Sequence, residues 1–583
     1  MINRLKYNNE LLNEKVNFFW DYYDLFISLA GQLWNFELEN PLSLVQKIVF
    51  QLDHNIFHAH NYVPTYFDKL AKYDRKYLNV FKNIPNIHRH LREFKKINPL
   101  KPKQLPEYRK KWFVNNRASL LVDFELLNSE LQKSMLYNSV NGLIQLLQCS
   151  HPLSEHKEDI RFHATIIGSE CLFTKKERKQ PKRLISLINT SDYRPFPYPE
   201  GIVTQEQRKK YFSQKDFNKT YKGILDFVYV PTDIQYIICK VENLIFSNKD
   251  FFKFGGVTFC SKDNKLLKEL PEFLKEHDSG LPKAIYKNVN FSLAVVEVVP
   301  QDFPTATKIA IKKVDKALFY LNNVLETAHT VDRKNILFTS DFSWYGYNLS
   351  PNVKQDKLTK DDLDELNDNA YYFFEDKMFL SKDAFLQHEM EFILARKASD
   401  IYGLWRYLEI LLFDRTKETN KIKRYIADAL VLSEKKFFDR YYNFHLKTAL
   451  QDSTPEQLGI TSEEHKTYWG KKYKISGKEN VKSEFFRDLY SQSKTHFTQK
   501  TRQKISDYYY TILTEAYEQR NSIAHSGISQ ERAITKMEFS FNNVVTRFRW
   551  LIFDYMKNNQ RATLNEIFNM IKFDASKQFP FRN

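Results

Sequence analysis

Near the C-terminus, the segment TRQKISDYYYTILTEAYEQRNSIAHSG sets Arg520 five residues before His525, with Asn521 directly after the arginine. Cleaving RNA without a metal needs a group that takes the 2′-hydroxyl proton and a cation that holds the charge developing on phosphorus. Histidine titrates near neutrality and arginine never discharges, so this pair suits both tasks. Arginine can also grip phosphate oxygens bidentately, and Asn521 can orient the histidine or hydrogen-bond the substrate. The spacing alone is not specific, because Arg440 and His445 repeat it in RYYNFH. That second copy lacks an asparagine after its arginine and a stop signal after its histidine. It lies in the apolar-periodic stretch from Phe437 to Leu450 and is read as packing.

The elements around the first copy are helical. Ile505, Tyr508, Tyr509, Ile512, Leu513, Ala516 and Tyr517 recur at helical spacing and predict a packed face. Ser526 and Gly527 then read as a helix stop, Gly being suited to the left-handed conformation that ends helices. On a regular helix, residues five apart point about 140° away from each other. The expectation is therefore that the terminus frays, so that His525 turns back toward Arg520. The bland alternative is that both residues only cap a helix, whose C-terminal end favours cations.

RNSIAHSG after a tyrosine-rich helix resembles the R-x4-6-H motif, with Asn after Arg, of HEPN ribonucleases. Upstream, ASDIYGLWRYLEILLF at 398–413 is similar to the opening helix of the Apea-like HEPN branch, with Glu409 as the matching acidic residue. The strand and helix at 291–325 is similar to a segment found ahead of that domain. The resemblance covers about 390–560 and does not reach residues 1–200. It implies a helical bundle that dimerises, so that two motifs form one composite cleft and cut RNA to a 2′,3′-cyclic phosphate without metal. It also implies a place in prokaryotic antiphage defence of the abortive-infection kind, with tRNA or other cellular RNA as target and a phage-derived trigger. Arg520, His525 and Asn521 are then the catalytic candidates, with Glu409 and Ser526 in support. Members paired with a nucleotidyltransferase carry Tyr two residues past the His, where this chain has Gly527. Two rivals stay open: a non-catalytic RNA- or protein-binding HEPN adaptor, and a nuclease centred on Arg440 and His445.

Composition fits an RNA partner. Lys and Arg number 88 against 71 Asp and Glu, a net charge of +17, which favours polyanions unless it serves solubility alone. With 48 Phe and 34 Tyr but only 14 Gly among 583 residues, the chain suits packed helices better than phosphate-cradling loops. No GxxxxGK[ST], GxGxxG or GxSxG occurs, which argues against nucleotide-binding and serine-hydrolase chemistry. Cys149, Cys171, Cys239 and Cys260 form no CxxC pair, so no metal or other cofactor is expected, and a reducing cytoplasm fits. His54, His58 and His60, like His88 and His90, are read as solvated or core histidines. The apolar stretch at the N-terminus carries charges and reads as a helix, and no run is apolar enough for a membrane span.

The expected fold is α+β and predominantly helical, in three segments. Residues 1–155 form a helical N-terminal region, broken by NPLKPKQLPEY at 98–108. Residues 156–374 form a mixed α/β regulatory or sensor domain, with strands at HATIIG, ILDFVYV, IQYIICKVENLIF, VTFC, SLAVVEVV and NILFTS. A strand at 291–299 leads there into a helix from Ala306 to Leu325, with Asp302 as its cap. Residues 375–583 form the all-α HEPN bundle.

Overall fold

The computed structural model describes residues 9–54, 62–73, 84–97, 105–175, 217–228, 235–245, 251–261, 291–298, 303–325, 327–340, 343–347, 401–412, 418–452, 484–526, 531–559 and 562–579, with isolated positions between them. The described residues are predominantly helical, with a small antiparallel sheet. It divides into two compact units. One comprises residues 1–173, 178–225 and 372–583, and the other residues 174–177 and 226–371. The N-terminal and C-terminal helical segments drawn separately from the sequence thus belong to one unit.

In the helical unit, α1 (Glu10–Leu29) is capped by the Asn9 side chain, which accepts from the Leu12 amide. Its buried face carries Phe18, Phe19, Trp20, Tyr23, Phe26 and Ile27. Next come α2 (Pro41–Asp53), α3 (Tyr62–Tyr73), α4 (Pro85–Lys96) and α5 (Leu105–Gln148). Asn40 and Ser43 close a reciprocal capping box at the start of α2. Of the proline-containing stretch where a break is expected, residues 98–104 lie outside the described residues and Leu105–Tyr108 form the first turn of α5. At 44 residues α5 spans about 66 Å. Leu42, Phe67, Phe94, Phe113 and Phe124 fill the core shared by α2 to α5.

Two expected strands are helices. HATIIG lies inside α6 (Leu153–Lys175), which crosses the boundary drawn at residue 155, and ILDFV ends α7 (Phe217–Val228). Short apolar runs do not distinguish a buried strand from a buried helix. Gly168 serves helix packing here: a Cβ there would come 2.6 Å from the Phe26 ring. Tyr221 of α7 accepts a hydrogen bond from Trp20 Nε1 at 3.1 Å.

The second unit holds β1 (Gln235–Glu242), β2 (Phe251–Phe254), β3 (Val257–Ser261), β4 (Phe291–Val298), α8 (Phe303–Leu325), β5 (Thr330–Ser340) and β6 (Ser343–Tyr347). The strands form one sheet in the order β2-β3-β4-β1-β5-β6, every pair antiparallel. The strand-then-helix unit expected from 291 to 325 is present as β4 and α8. Ala310, Ile311, Val314, Ala317 and Leu318 of α8 pack on Ile237, Cys239 and Val241 of β1 and on Ala294, Val296 and Val298 of β4. The alternation of these strand residues is the period-2 pattern that places one face against a helix. The proposed cap Asp302 lies outside the described residues, as do the polar stretch 352–369 and the boundary drawn at 374/375.

The helical unit closes with α9 (Ile401–Leu412), α10 (Thr419–Asp452), α11 (Glu484–Thr495), α12 (Gln499–Ser526), α13 (Glu531–Asn558) and α14 (Leu564–Lys577). Leu404, Trp405 and Leu408 of α9 meet Ile426 and Leu430 of α10, Tyr509, Ile512, Leu513 and Ala516 of α12, and Phe541, Val544 and Phe548 of α13. The apolar face read over Ile505 to Tyr517 is the face that packs, with Tyr508 and Tyr517 at its margin. At the heart of this bundle Glu434 accepts from Arg547 Nη2 at 2.7 Å and faces His496 Nε2 at 3.1 Å, and Tyr509 donates to it as well.

Gly31 joins the N-terminal helices to this bundle. It adopts φ +70° just past α1, and a Cβ would come 2.7 Å from Ser540 Oγ on α13. Gly31→Ala should therefore lower unfolding free energy by about 1–2 kcal/mol from backbone strain alone, read as a lower denaturant midpoint without loss of cooperativity.

Candidate active site

Arg520 lies on α12, two turns from its end, and Glu409 lies on α9 just off the apolar stripe that packs into the bundle. The structure brings them together: Arg520 Nη2 is 3.8 Å from Glu409 Oε2. Trp405, one turn earlier on α9, donates from Nε1 to Glu409 Oε1 at 2.8 Å and fixes the carboxylate. On the other side, Arg520 Nη1 donates to Asn521 Oδ1 at 2.9 Å. The guanidinium carbon sits 5.2 Å from the Tyr402 ring centroid and 6.0 Å from that of Tyr517. Tyr402 was not singled out in the sequence, although its place one turn before Arg406 on an amphipathic helix marks it as exposed.

The side chains of Arg520 and Glu409 are 23% and 33% exposed, so a ligand can reach the pair from solvent. An ion pair at 3.8 Å and this exposure is worth under about 1 kcal/mol. Its consequence is orientation. Carboxylate, amide and aromatic face hold the guanidinium in one place while leaving it short of a full set of partners, since Nε is buried without a hydrogen bond among the described residues.

His525 and Ser526 occupy the last turn of α12, whose backbone stays helical through Ser526; their side chains and Gly527 lie outside the described residues. The fraying expected between Arg520 and His525 is thus not present in the backbone. Five consecutive helical steps place positions 520 and 525 about 140° apart around the axis. The helix runs unbroken up to Ser526, the first residue of the stop signal, so helical hydrogen bonding spans both candidates. Arg440 and His445 lie within α10, with their side chains outside the described residues.

Of the histidine groups read at 54–60 and 88–90, no described member is gathered into a metal site. His90 is buried with Nε2 2.7 Å from Asp123 Oδ2, and His88, two residues away on α4, is half-buried. His54 Nδ1 meets the Phe50 carbonyl and the ring stacks on Phe50, while His58 and His60 lie outside the described residues.

Helix α12 is anchored one turn before Arg520 by a buried charge cluster. Lys536 Nζ of α13 contacts Glu515 Oε2 and Glu39 Oε1, each at 2.7 Å. Lys47 Nζ of α2 contacts Glu39 at 2.7 Å and Glu515 at 3.2 Å, and Lys69 Nζ of α3 contacts Glu39 at 2.6 Å and Glu37 at 2.8 Å. Tyr66 donates to Glu515 at 3.1 Å. Burial pushes the Glu39 carboxyl up, but the ammonium groups of Lys47, Lys536 and Lys69 outweigh it and hold the group well below the usual carboxylate range. Burial also raises Glu515, and Lys47 and Lys536 overcome it.

Glu518, three residues on, is compensated only in part. Burial, reinforced by the Glu515 charge and only partly relieved by Lys423, pushes its carboxyl up to about 8.

Compared with family models, curated proteins and solved structures, the chain matches none. Among the described residues, no helix is long and apolar enough to cross a membrane.

The Glu518 shift yields a pH dependence. The unfolded chain releases this proton near the ordinary 4.5 and the folded chain only near 8, so between these values the folded state binds more protons and stability falls as pH rises. Glu518→Gln should remove that fall. Melting temperatures of variant and wild type should converge near pH 5 and diverge in the variant's favour toward pH 8, followed by circular dichroism.

Proposed function

We propose that the chain is a metal-independent endoribonuclease of the HEPN type, with Arg520, Asn521 and His525 as its catalytic group. The observation that carries this reading is the oriented, partly exposed Arg520 at the end of a bundle helix, held by Glu409 of the helix the resemblance pairs with it. Exposed Tyr402 beside the guanidinium offers an aromatic face on which a base can stack. The net charge of +17 suits a polyanionic substrate.

In this mechanism His525 takes the 2′-hydroxyl proton, the 2′-oxygen attacks phosphorus, and the bond to the 5′-oxygen breaks. A protonated histidine returns a proton to the leaving oxygen, giving a 2′,3′-cyclic phosphate and a 5′-hydroxyl. Arg520 stabilises the charge on the phosphoryl oxygens, while Glu409 and Trp405 are positioning residues. The 140° between positions 520 and 525 favours assembly of the site from two chains, each supplying a motif to one cleft. The homodimer, a tRNA target, a phage-derived trigger and a cytoplasmic role in antiphage defence follow from the resemblance and belong to this proposal, as does support by Ser526.

Wild-type protein should cut total tRNA in EDTA to fragments with cyclic-phosphate ends. His525→Ala should lower cleavage by at least about 100-fold, the range of a lost general base, with RNA affinity and circular dichroism unchanged. RNA that binds wild type uncut would favour the adaptor reading, and cleavage that survives in His525→Ala but is lost in His445→Ala would move the centre to Arg440 and His445.

A further inference from the structure

At the junction of α5 and α6 the sequence reads CSHPLSEH. Cys149 follows the last residue of α5, His151 lies in the two-helix turn, and His156 occupies the first turn and a half of α6. The turn folds these three back on themselves, and one ligand atom from each lies within 4.8 Å of the other two. The rings of His151 and His156 meet edge to face with centroids 5.6 Å apart. His156 Nε2 is buried and has no hydrogen-bond partner among the described residues. An orphaned buried imidazole nitrogen is costly, and a metal ion beside it would satisfy it.

We propose that Cys149, His151 and His156 bind a divalent cation of the zinc class. One thiolate and two imidazoles are the borderline-soft donor set that selects zinc over magnesium or calcium. Zinc–sulfur bonds near 2.3 Å and zinc–nitrogen bonds near 2.0–2.1 Å put donors in a tetrahedral site about 3.3–3.6 Å apart. Closing from 4.8 Å takes a side-chain rotation, and His151 is exposed and able to make it. On binding, the thiol loses its proton to the buffer as the sulfur–metal bond forms.

Lys15 supports the sulfur. Buried on α1, its Nζ donates to Cys149 Sγ at 3.1 Å, to the Cys149 carbonyl at 2.7 Å and to the Leu146 carbonyl at 3.2 Å. Cys149 Sγ also donates to the Leu146 carbonyl at 3.1 Å, a bond that deprotonation would release. Lys15 would then remain as an N–H donor to the metal-bound sulfur, offsetting its charge. Three protein ligands would leave a fourth tetrahedral position for water. The site staples the ends of α5 and α6 to α1 and is separate from the Arg520 chemistry, which uses no metal.

Titrating the EDTA-stripped, dialysed full chain with Co(II) tests this. One equivalent should bind per chain, with a thiolate-to-cobalt charge-transfer band and the visible bands of a tetrahedral ion, and Zn(II) should displace it. Cys149→Ser should lose the charge-transfer band. His151→Ala, at an exposed position that the fold does not need, should weaken Co(II) by at least about tenfold. His88→Ala should change nothing. No one-to-one complex, or a charge-transfer band that persists in Cys149→Ser, would overturn the assignment.

Discussion

The helical unit depends on a charge cluster whose centre, Glu39, Lys47, Glu515 and Lys536, is buried. Glu39 precedes α2, Lys47 lies on α2, Lys69 on α3, Glu515 on α12 and Lys536 on α13, so the cluster ties the beginning of the chain to its end. Removing one member leaves an uncompensated buried charge, which costs about 3–5 kcal/mol. The balance is close: Glu37, Glu39 and Glu515 face Lys47, Lys69 and Lys536. This clamp is also electrostatically specific, because no slipped packing of α12 would offer the same partners. Arg520 lies five residues beyond Glu515, so the candidate site inherits its position from the N-terminal helices.

That coupling gives the N-terminal helices a physical role beside the candidate active site. Glu434, buried with Arg547, Tyr509 and His496, locks the bundle's interior. At the bundle's surface, Lys157 and Arg161 of α6 pair with Glu484 and Asp488 of α11. Asn543 and Arg547 of α13 both donate to the Gln32 carbonyl beyond α1. A displacement of α1 or α2 would therefore be felt along α12 and α13.

Much of this was legible where periodicity and chemistry agree. The apolar stripe of α12 and the strand and helix at 291–325 follow patterns written in adjacent residues, whereas Glu409 was named only through the resemblance and its contact with Arg520 comes from the fold. HATIIG and ILDFVYV misled because a short apolar run carries no period long enough to separate strand from helix. The grouping of first and last helices was invisible: Glu39 and Lys536 are 497 residues apart, and nothing local announces a partner at that distance. Cys149, His151 and His156 were legible as C-x-H-x4-H, but a search for paired cysteines passes over a single thiolate with two imidazoles.

The most direct measurement is a double-mutant cycle between Glu39→Gln and Lys536→Met, read by equilibrium denaturation with probes in the N-terminal and C-terminal helices. A single transition shared by both probes and a coupling of about 2 kcal/mol or more are predicted for groups in one buried cluster. Additive effects, or two transitions in which the N-terminal helices melt independently, would contradict a helical unit built on this clamp.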